Sequence, residues 1–241
     1  MGGGFDVALT SNLVQFCQFE ANGNDSTPNG LNFTNNGGIT FVPGKVGNAA
    51  SIAASLSQYF SLADGPLISI TGALTIAFWV NFVNLDVSAT PIAKWNTGQS
   101  SWAIDTAGAG GNWRFYVSAD GTAANVLTSA FAPSLATWYF IVAIHDPVND
   151  IISFIIDNGT PETKAHSTNI FDGTAELRIG RRGNADSADL SGLFDQYGLW
   201  NVVLSPGLIT QLFNGGAGLS YAQILALSQG TGLINLLGVG N

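Results

Sequence analysis

The sequence predicts an all-β domain in which two antiparallel sheets pack face to face, with one or two short helices near the C-terminus. Three observations predict it. Turn signals recur roughly every 8–12 residues, the spacing of a sandwich. The 30 glycines and 10% charged residues accompany 46% hydrophobic residues, which is too apolar for disorder and too turn-rich for a helical bundle. The stretch from Leu74 to Val83 alternates, with Leu74, Ile76, Phe78, Val80 and Phe82 on one side and Ala77, Trp79, Asn81 and Val83 on the other. Both sides are largely apolar, so this strand is central to two packed layers rather than at an edge.

The remaining elements follow in order. Residues 13–20 form a first strand with Cys17 inside an apolar run, a buried and inert thiol. The Asn- and Gly-rich stretch 21–30 then turns the chain. Short strands lie around 31–34, 39–42, 49–53 and 58–62, with the tight connection Pro43-Gly44-Lys45-Val46-Gly47-Asn48 among them. Beyond the central strand come strands at 91–95, 102–105, 113–118 and 125–129, the last two joined by the hairpin turn Asp120-Gly121-Thr122. Two core strands, 138–145 and 151–157, flank the loop 146–150, and strands at 176–180 and 192–201 complete the set. Ser205 as N-cap, Pro206 at the first helical position and Gly215-Gly216 past the end mark a short helix. Residues 220–228 suit a second one. An apolar tail carries Leu233, Ile234, Leu236, Leu237 and Val239. No repeat or linker divides the chain, which reads as an arm (1–12), a body (13–217) and a tail (218–241).

Charge excludes some partners. With 7 basic residues and a net charge of −9, the chain cannot neutralise many phosphates, so nucleic acid is not an expected partner. The acidity serves solubility or attracts Ca²⁺. No apolar run approaches the ~20 residues of a membrane span, and Met1–Asp6 shows no signal-peptide pattern.

Certain pieces occur in a specific order: Val14–Glu20 with Asn22-Gly23-Asn24-Asp25-Ser26, Pro43–Ala49, Leu74–Val80, Trp138–Ile144 and Ile152–Asp157. They continue with Leu177-Arg178-Ile179-Gly180, Phe194-Asp195-Gln196-Tyr197-Gly198-Leu199-Trp200, Leu204-Ser205 and Leu212-Phe213-Asn214-Gly215-Gly216. In this succession the chain resembles the concanavalin A-like lectin/glucanase superfamily, in its laminin-G-like jelly-roll branch. The resemblance implies a jelly roll with one concave sheet. The closing Asn-Gly-Gly-Ala-Gly-Leu segment is similar to those of bacteriophage and environmental bacterial proteins of this type.

The resemblance also raises catalysis, which the residues do not support. Glucanases of the superfamily carry a Glu-x-Asp-x-x-Glu cluster on one strand, and retaining chemistry needs two carboxyl groups about 5–5.5 Å apart. Glu20, Glu162 and Glu176 are the only glutamates, none so arranged, and Asp186 with Asp189 lies in a loop-like stretch. His145 and His166 lack a neighbouring nucleophile motif and read as sheet-edge or surface residues. No enzyme site is expected.

Laminin-G-like jelly rolls often hold one structural Ca²⁺. By that resemblance Asn24, Asp25, Asn29 and Asp195 are the candidate ligands; the other reading is that Asn24 and Asp25 make Asx turns and Asp195 caps a bulge. A sugar site needs exposed aromatic platforms beside hydrogen-bonding groups. The candidates are Trp95, Asn96, Trp102, Asn112, Trp113, Arg181, Arg182 and Asn184, whereas Trp79, Trp138 and Trp200 read as core. The expected function is a non-enzymatic component of a virion exterior, of bacteriophage type, used for decoration or adhesion. Its partners would be other virion or capsid proteins or further copies of itself, held through Leu233–Val239, with glycan binding as a second role. The alternative is a stand-alone, Ca²⁺-dependent extracellular carbohydrate-binding module.

Overall fold

The computed structural model describes residues 8–183 and 189–229. The chain opens with β1 (Leu13–Cys17), β2 (Thr34–Asn36), β3 (Thr40–Pro43), β4 (Asn48–Ile52) and β5 (Tyr59–Leu62). Next come β6 (Leu74–Asn84), β7 (Ile92–Lys94), β8 (Ser100–Thr106), β9 (Trp113–Gly121) and β10 (Ala124–Thr128). β11 (Trp138–Asp146), β12 (Ile151–Ile156), β13 (Glu162–Ala165), β14 (Leu177–Ile179) and β15 (Ser191–Trp200) follow, then α1 (Pro206–Phe213) and α2 (Tyr221–Ser228). One sheet runs β13-β12-β11-β6-β15-β4-β3, with β1 also paired to β15; the other runs β10-β9-β8-β7-β14-β5-β2. The strand pairs are antiparallel.

The expected central strand is β6, held between β11 and β15. Its two apolar sides have different partners. Leu74, Ile76, Phe78, Val80 and Phe82 join the core between the sheets, where Phe78 stacks on Phe194 at 5.0 Å. Ala77 and Trp79 instead face the helices, with Phe140, Trp200, Leu208, Leu212 and Ile224. The first sheet is thus apolar on both faces because α1 and α2 cover its outer one.

Both helices begin as the sequence predicts. Ser205 Oγ accepts the N–H of Leu208 ahead of Pro206, and Ser220 forms a capping box with Gln223. The α1 C-cap is Asn214 in the left-handed region (φ 49°), one residue before the glycines expected to serve. Phe213 of α1 stacks on Trp79, and Tyr221 of α2 on Phe16. Leu219 and Ile224 are buried in the same cluster, so residues up to the end of α2 pack with the body rather than apart from it. No helix of the described residues is long and apolar enough to cross a membrane.

Three details differ from expectation. β1 ends at Cys17 because Phe19 adopts φ 57° and the chain leaves the sheet. The polar strand β13 pairs with β12 although its sequence carries no apolar alternation. His145 and His166 are buried, not at an edge or surface. Their rings lie edge to face at 5.2 Å, and His145 Nδ1 and Nε2 meet the carbonyls of Gly72 and Thr168 at 2.7 and 3.1 Å. Cys17 is buried as expected, and burial pushes its thiol pKa well up.

Candidate ligand-binding face

Among the described residues no helix covers the outer face of the second sheet. Period-2 alternation decides what stands there. On β9, Trp113, Phe115 and Val117 enter the core, so Arg114 and Tyr116 point outward. Tyr116 is opposite Ala103 of β8, Ala103 opposite Ala93 of β7, Ala93 opposite Arg178 of β14, and Arg178 opposite Ser61 of β5. The two alanines form a low floor over which larger neighbours lean: Trp95, Tyr116 and Arg182.

The chain's four arginines, Arg114, Arg178, Arg181 and Arg182, converge on this face. Arg114 holds the buried Asp105 in bidentate fashion (Nε–Oδ1 2.7 Å, Nη2–Oδ2 2.8 Å), and Arg182 donates to the same carboxylate. Both guanidiniums lie over the Tyr116 ring, at 5.2 and 4.8 Å, and Arg182 also lies 5.9 Å from the Trp95 ring. Arg181 grips Asp189 through Nε (3.0 Å) and Nη2 (2.5 Å), and Arg178 grips Glu176. Arg178 and Arg181 both sit 5.0 Å from the Tyr59 ring. Burial pushes the Asp105 carboxyl pKa up against the pull of the two arginines, and burial with the Asp105 charge raises the Tyr116 phenol. The face carries four positive and three negative groups on a chain of net charge −9.

The structure sorts the expected sugar residues. Trp95, Arg181 and Arg182 do come to this face, and Asn96 is exposed beside Trp95. Trp95 is no open platform: it is 8% exposed, with Tyr116 against its edge and Arg182 over it. Trp102 and Trp113 are core residues at 1% and 0% exposure, which corrects the reading of them as platforms. Asn112 donates Nδ2 to the Ser129 carbonyl. Asn184 lies outside the described residues, as do Asp186, Leu233, Ile234, Leu236, Leu237 and Val239. Sequence reasoning missed Tyr59, Asp105 and Tyr116. The signal that finds the last two is the alternation of β8 and β9, in which Trp102, Ile104, Trp113, Phe115 and Val117 take the inward positions.

The candidate Ca²⁺ ligands fall into two separate hydrogen-bond networks. Asp25 Oδ1 accepts the N–H groups of Phe16 and Thr27, while Oδ2 accepts the Thr27 hydroxyl and the Leu31 N–H, at 2.8–3.1 Å. Asn29 donates Nδ2 to Val14, and Asn24 takes part in an Asx turn from Asn22. Asp195 belongs to another network, in which Oδ2 accepts Lys45 N–H and Val46 N–H and Oδ1 accepts Gln196 N–H. Backbone and hydroxyl donors thus engage both carboxylates, Asp25 and Asp195. Among the described residues no group of three His, Cys, Asp or Glu side chains has metal-binding geometry.

The two sheets, the helix-covered face and the open face define a lectin-type jelly roll. A sequence model of the concanavalin A-like lectin/glucanases superfamily, of laminin-G type, matches residues 54–210, well over half of the chain. The chain belongs to that superfamily. Among solved structures it is similar to the binding domain of Paraclostridial Mosquitocidal Protein 1, with TM-score 0.70 and 16% identity over 86% of this chain and 52% of that one. It is similar also to domain 4 of AbnA, a GH43 extracellular arabinanase from Geobacillus stearothermophilus, solved with arabinotriose: TM-score 0.65 and 19% identity over 83% and 97% of the two chains. A third is the binding domain of Botulinum neurotoxin DC, solved with rat synaptotagmin II, at TM-score 0.65 and 13% identity over 86% and 52%. The chain thus spans about half the length of the toxin binding domains. At these identities the likeness is one of fold. A search of curated proteins returns no match.

Proposed function

We propose that this chain is a non-catalytic, lectin-like binding domain that takes up glycan on the outer face of its second sheet. The observation that carries the reading is the convergence of all four arginines with Tyr59 and Tyr116 on a sheet face that no described helix covers. Guanidiniums fixed by carboxylates and rings are preorganised donors, and less side-chain entropy is lost when they bind. Four positive against three negative groups favour glycans bearing carboxylate or sulfate. On this face sequestered carboxylates support the non-catalytic reading: Asp105, Glu176 and Asp189 are each held by arginine, whereas glycoside hydrolysis needs a proton-donating acid and a second free carboxylate. Neighbours of the same fold solved with arabinotriose or as toxin binding domains agree with a binding role.

The setting on a virion exterior rests on the tail, which lies outside the described residues, and the binding reading stands without it. Calorimetric titration with an oligogalacturonate and with a neutral oligosaccharide of equal length tests the proposal. Binding of the acidic sugar, weakened roughly tenfold by Arg181→Ala, is expected. Binding indifferent to Arg178→Ala and Arg181→Ala alike overturns the assignment of the face.

A further inference from the structure

A separate cavity of 390 Å³ opens where the β9–β10 edge of the second sheet meets the β12–β13 edge of the first. Its floor is aromatic: Trp113 lies 6.2 Å from Tyr139 and 6.0 Å from Phe154, ring to ring. Phe131, whose carbonyl accepts the Trp113 N–H, stands at the mouth and is 65% exposed. Glu162 is opposite Phe154 in the β12–β13 ladder and so shares its face, and Asp157 follows β12 at the rim.

The charges of this cavity are one-sided. Glu162 Oε1 accepts the Ala130 N–H and Asp157 Oδ1 accepts the Phe140 N–H, at 2.9 and 2.8 Å, and among the described residues no hydrogen bond reaches the second oxygen of either. No lysine or arginine lines the cavity. Lys45 acts on Asp157 from a distance but is itself seated over the Trp79 ring, on the helix-covered face. Burial pushes the Asp157 carboxyl pKa up. A neutral occupant would displace water from two carboxylates and return no counter-charge, whereas a cation supplies it and also meets the π faces.

We propose that this aromatic, doubly acidic cavity is a binding site for a small organic ammonium group, such as a methylated amine. The site is independent of the arginine face and its ligand has the opposite charge, so the two can succeed or fail separately. The exposed Phe131 and half-buried Tyr139 rings hold the methyl groups, with the buried Trp113 and Phe154 packed behind them, and the second oxygens of Glu162 and Asp157 neutralise the nitrogen.

The test titrates the full chain with choline and, in parallel, with 3,3-dimethylbutan-1-ol, the neutral molecule of the same shape. Amide chemical shifts around residues 131, 139 and 162 report occupancy. Choline is expected to bind one to one and roughly tenfold more tightly than the alcohol, with Glu162→Gln removing most of that preference. Glutamine keeps the acceptor for Ala130, and Phe131→Ala alters an exposed ring, so both variants should fold; Phe131→Ala should weaken choline several-fold. Equal binding of the alcohol, or choline affinity unchanged in Glu162→Gln, overturns the proposal. So does the absence of shifts at millimolar choline.

Discussion

Replacing Asp195 with alanine should cost stability in a way that depends on pH, and the direction tests which force governs a buried carboxylate. Asp195 is fully buried at a bulge in β15, where Gln196 takes φ 45°. Its oxygens accept three backbone N–H groups at 2.8–2.9 Å, two of them from Lys45 and Val46, about 150 positions away in the chain. The carboxyl therefore ties the turn between β3 and β4 to the bulge. Burial, helped by the charge of Glu20, pushes its pKa up to about 7 despite those donors. A folded pKa above the unfolded value of 3.8 gives stability that is full below 3.8 and lost as pH rises through about 7. Between 3.8 and about 7 the loss spans about three units, or about 4 kcal/mol at 1.36 kcal/mol per unit. Three hydrogen bonds to a neutral acceptor contribute about 3 kcal/mol together. Urea unfolding of wild type and Asp195→Ala should thus give a gap of about 3 kcal/mol near pH 4 that falls to about 1 kcal/mol by pH 5 and closes towards pH 7. A gap that widens with pH would show that the N–H groups outweigh desolvation and hold the group ionised.

Further expectations follow from single contacts. Gly47 has φ +66°, and a β-carbon there would meet the Glu20 carboxylate, which accepts the Asn48 N–H; Gly47→Ala should lower stability by about 1–3 kcal/mol in thermal or urea unfolding. Asp105→Ala leaves Arg114 and Arg182 without their shared buried partner and should cost about 3 kcal/mol, whereas Glu176→Ala, at a half-exposed pair, should cost under about 1 kcal/mol. The two variants compared in urea show whether burial sets the difference. Cys17, with its raised thiol pKa, should resist a thiol reagent in the native protein and react on unfolding; rapid native labelling would contradict its burial.

Much of the fold is legible because its signals are local. The alternation in β6, the Ser205-Pro206 start of α1 and the turn at Asp120 each lie within a few residues, and each is found in place. What escapes is set by contacts distant in sequence. Glu162-Thr163-Lys164-Ala165 has no strand pattern and becomes β13 because β12 offers it an edge. The apolar neighbours of His145 predict a strand, which it occupies, but the carbonyls that bury it come from residues 72 and 168. The same distance hides the sites. Trp95 and Arg182 are recognisable as candidates, but that the guanidinium covers the ring depends on how residues 182 and 95 are brought together.

Net charge misleads for the same reason. A net charge of −9 does not say which carboxylates the fold keeps for itself. The Asp25 carboxylate is directed at the backbone donors of its own loop, and Asp105 and Asp189 at arginines. Carboxylates that fold the chain have spent their lone pairs within it. Asp157 and Glu162 each engage one oxygen with a backbone N–H and stand beside an aromatic cavity. Sign at a site is therefore decided by which charges the fold has already paired, and pairing is fixed by sheet register rather than composition. On that argument the two proposed sites of this jelly roll differ in the charge they accept: the arginine face with its four guanidiniums, and the sheet-edge cavity with its two half-satisfied acids.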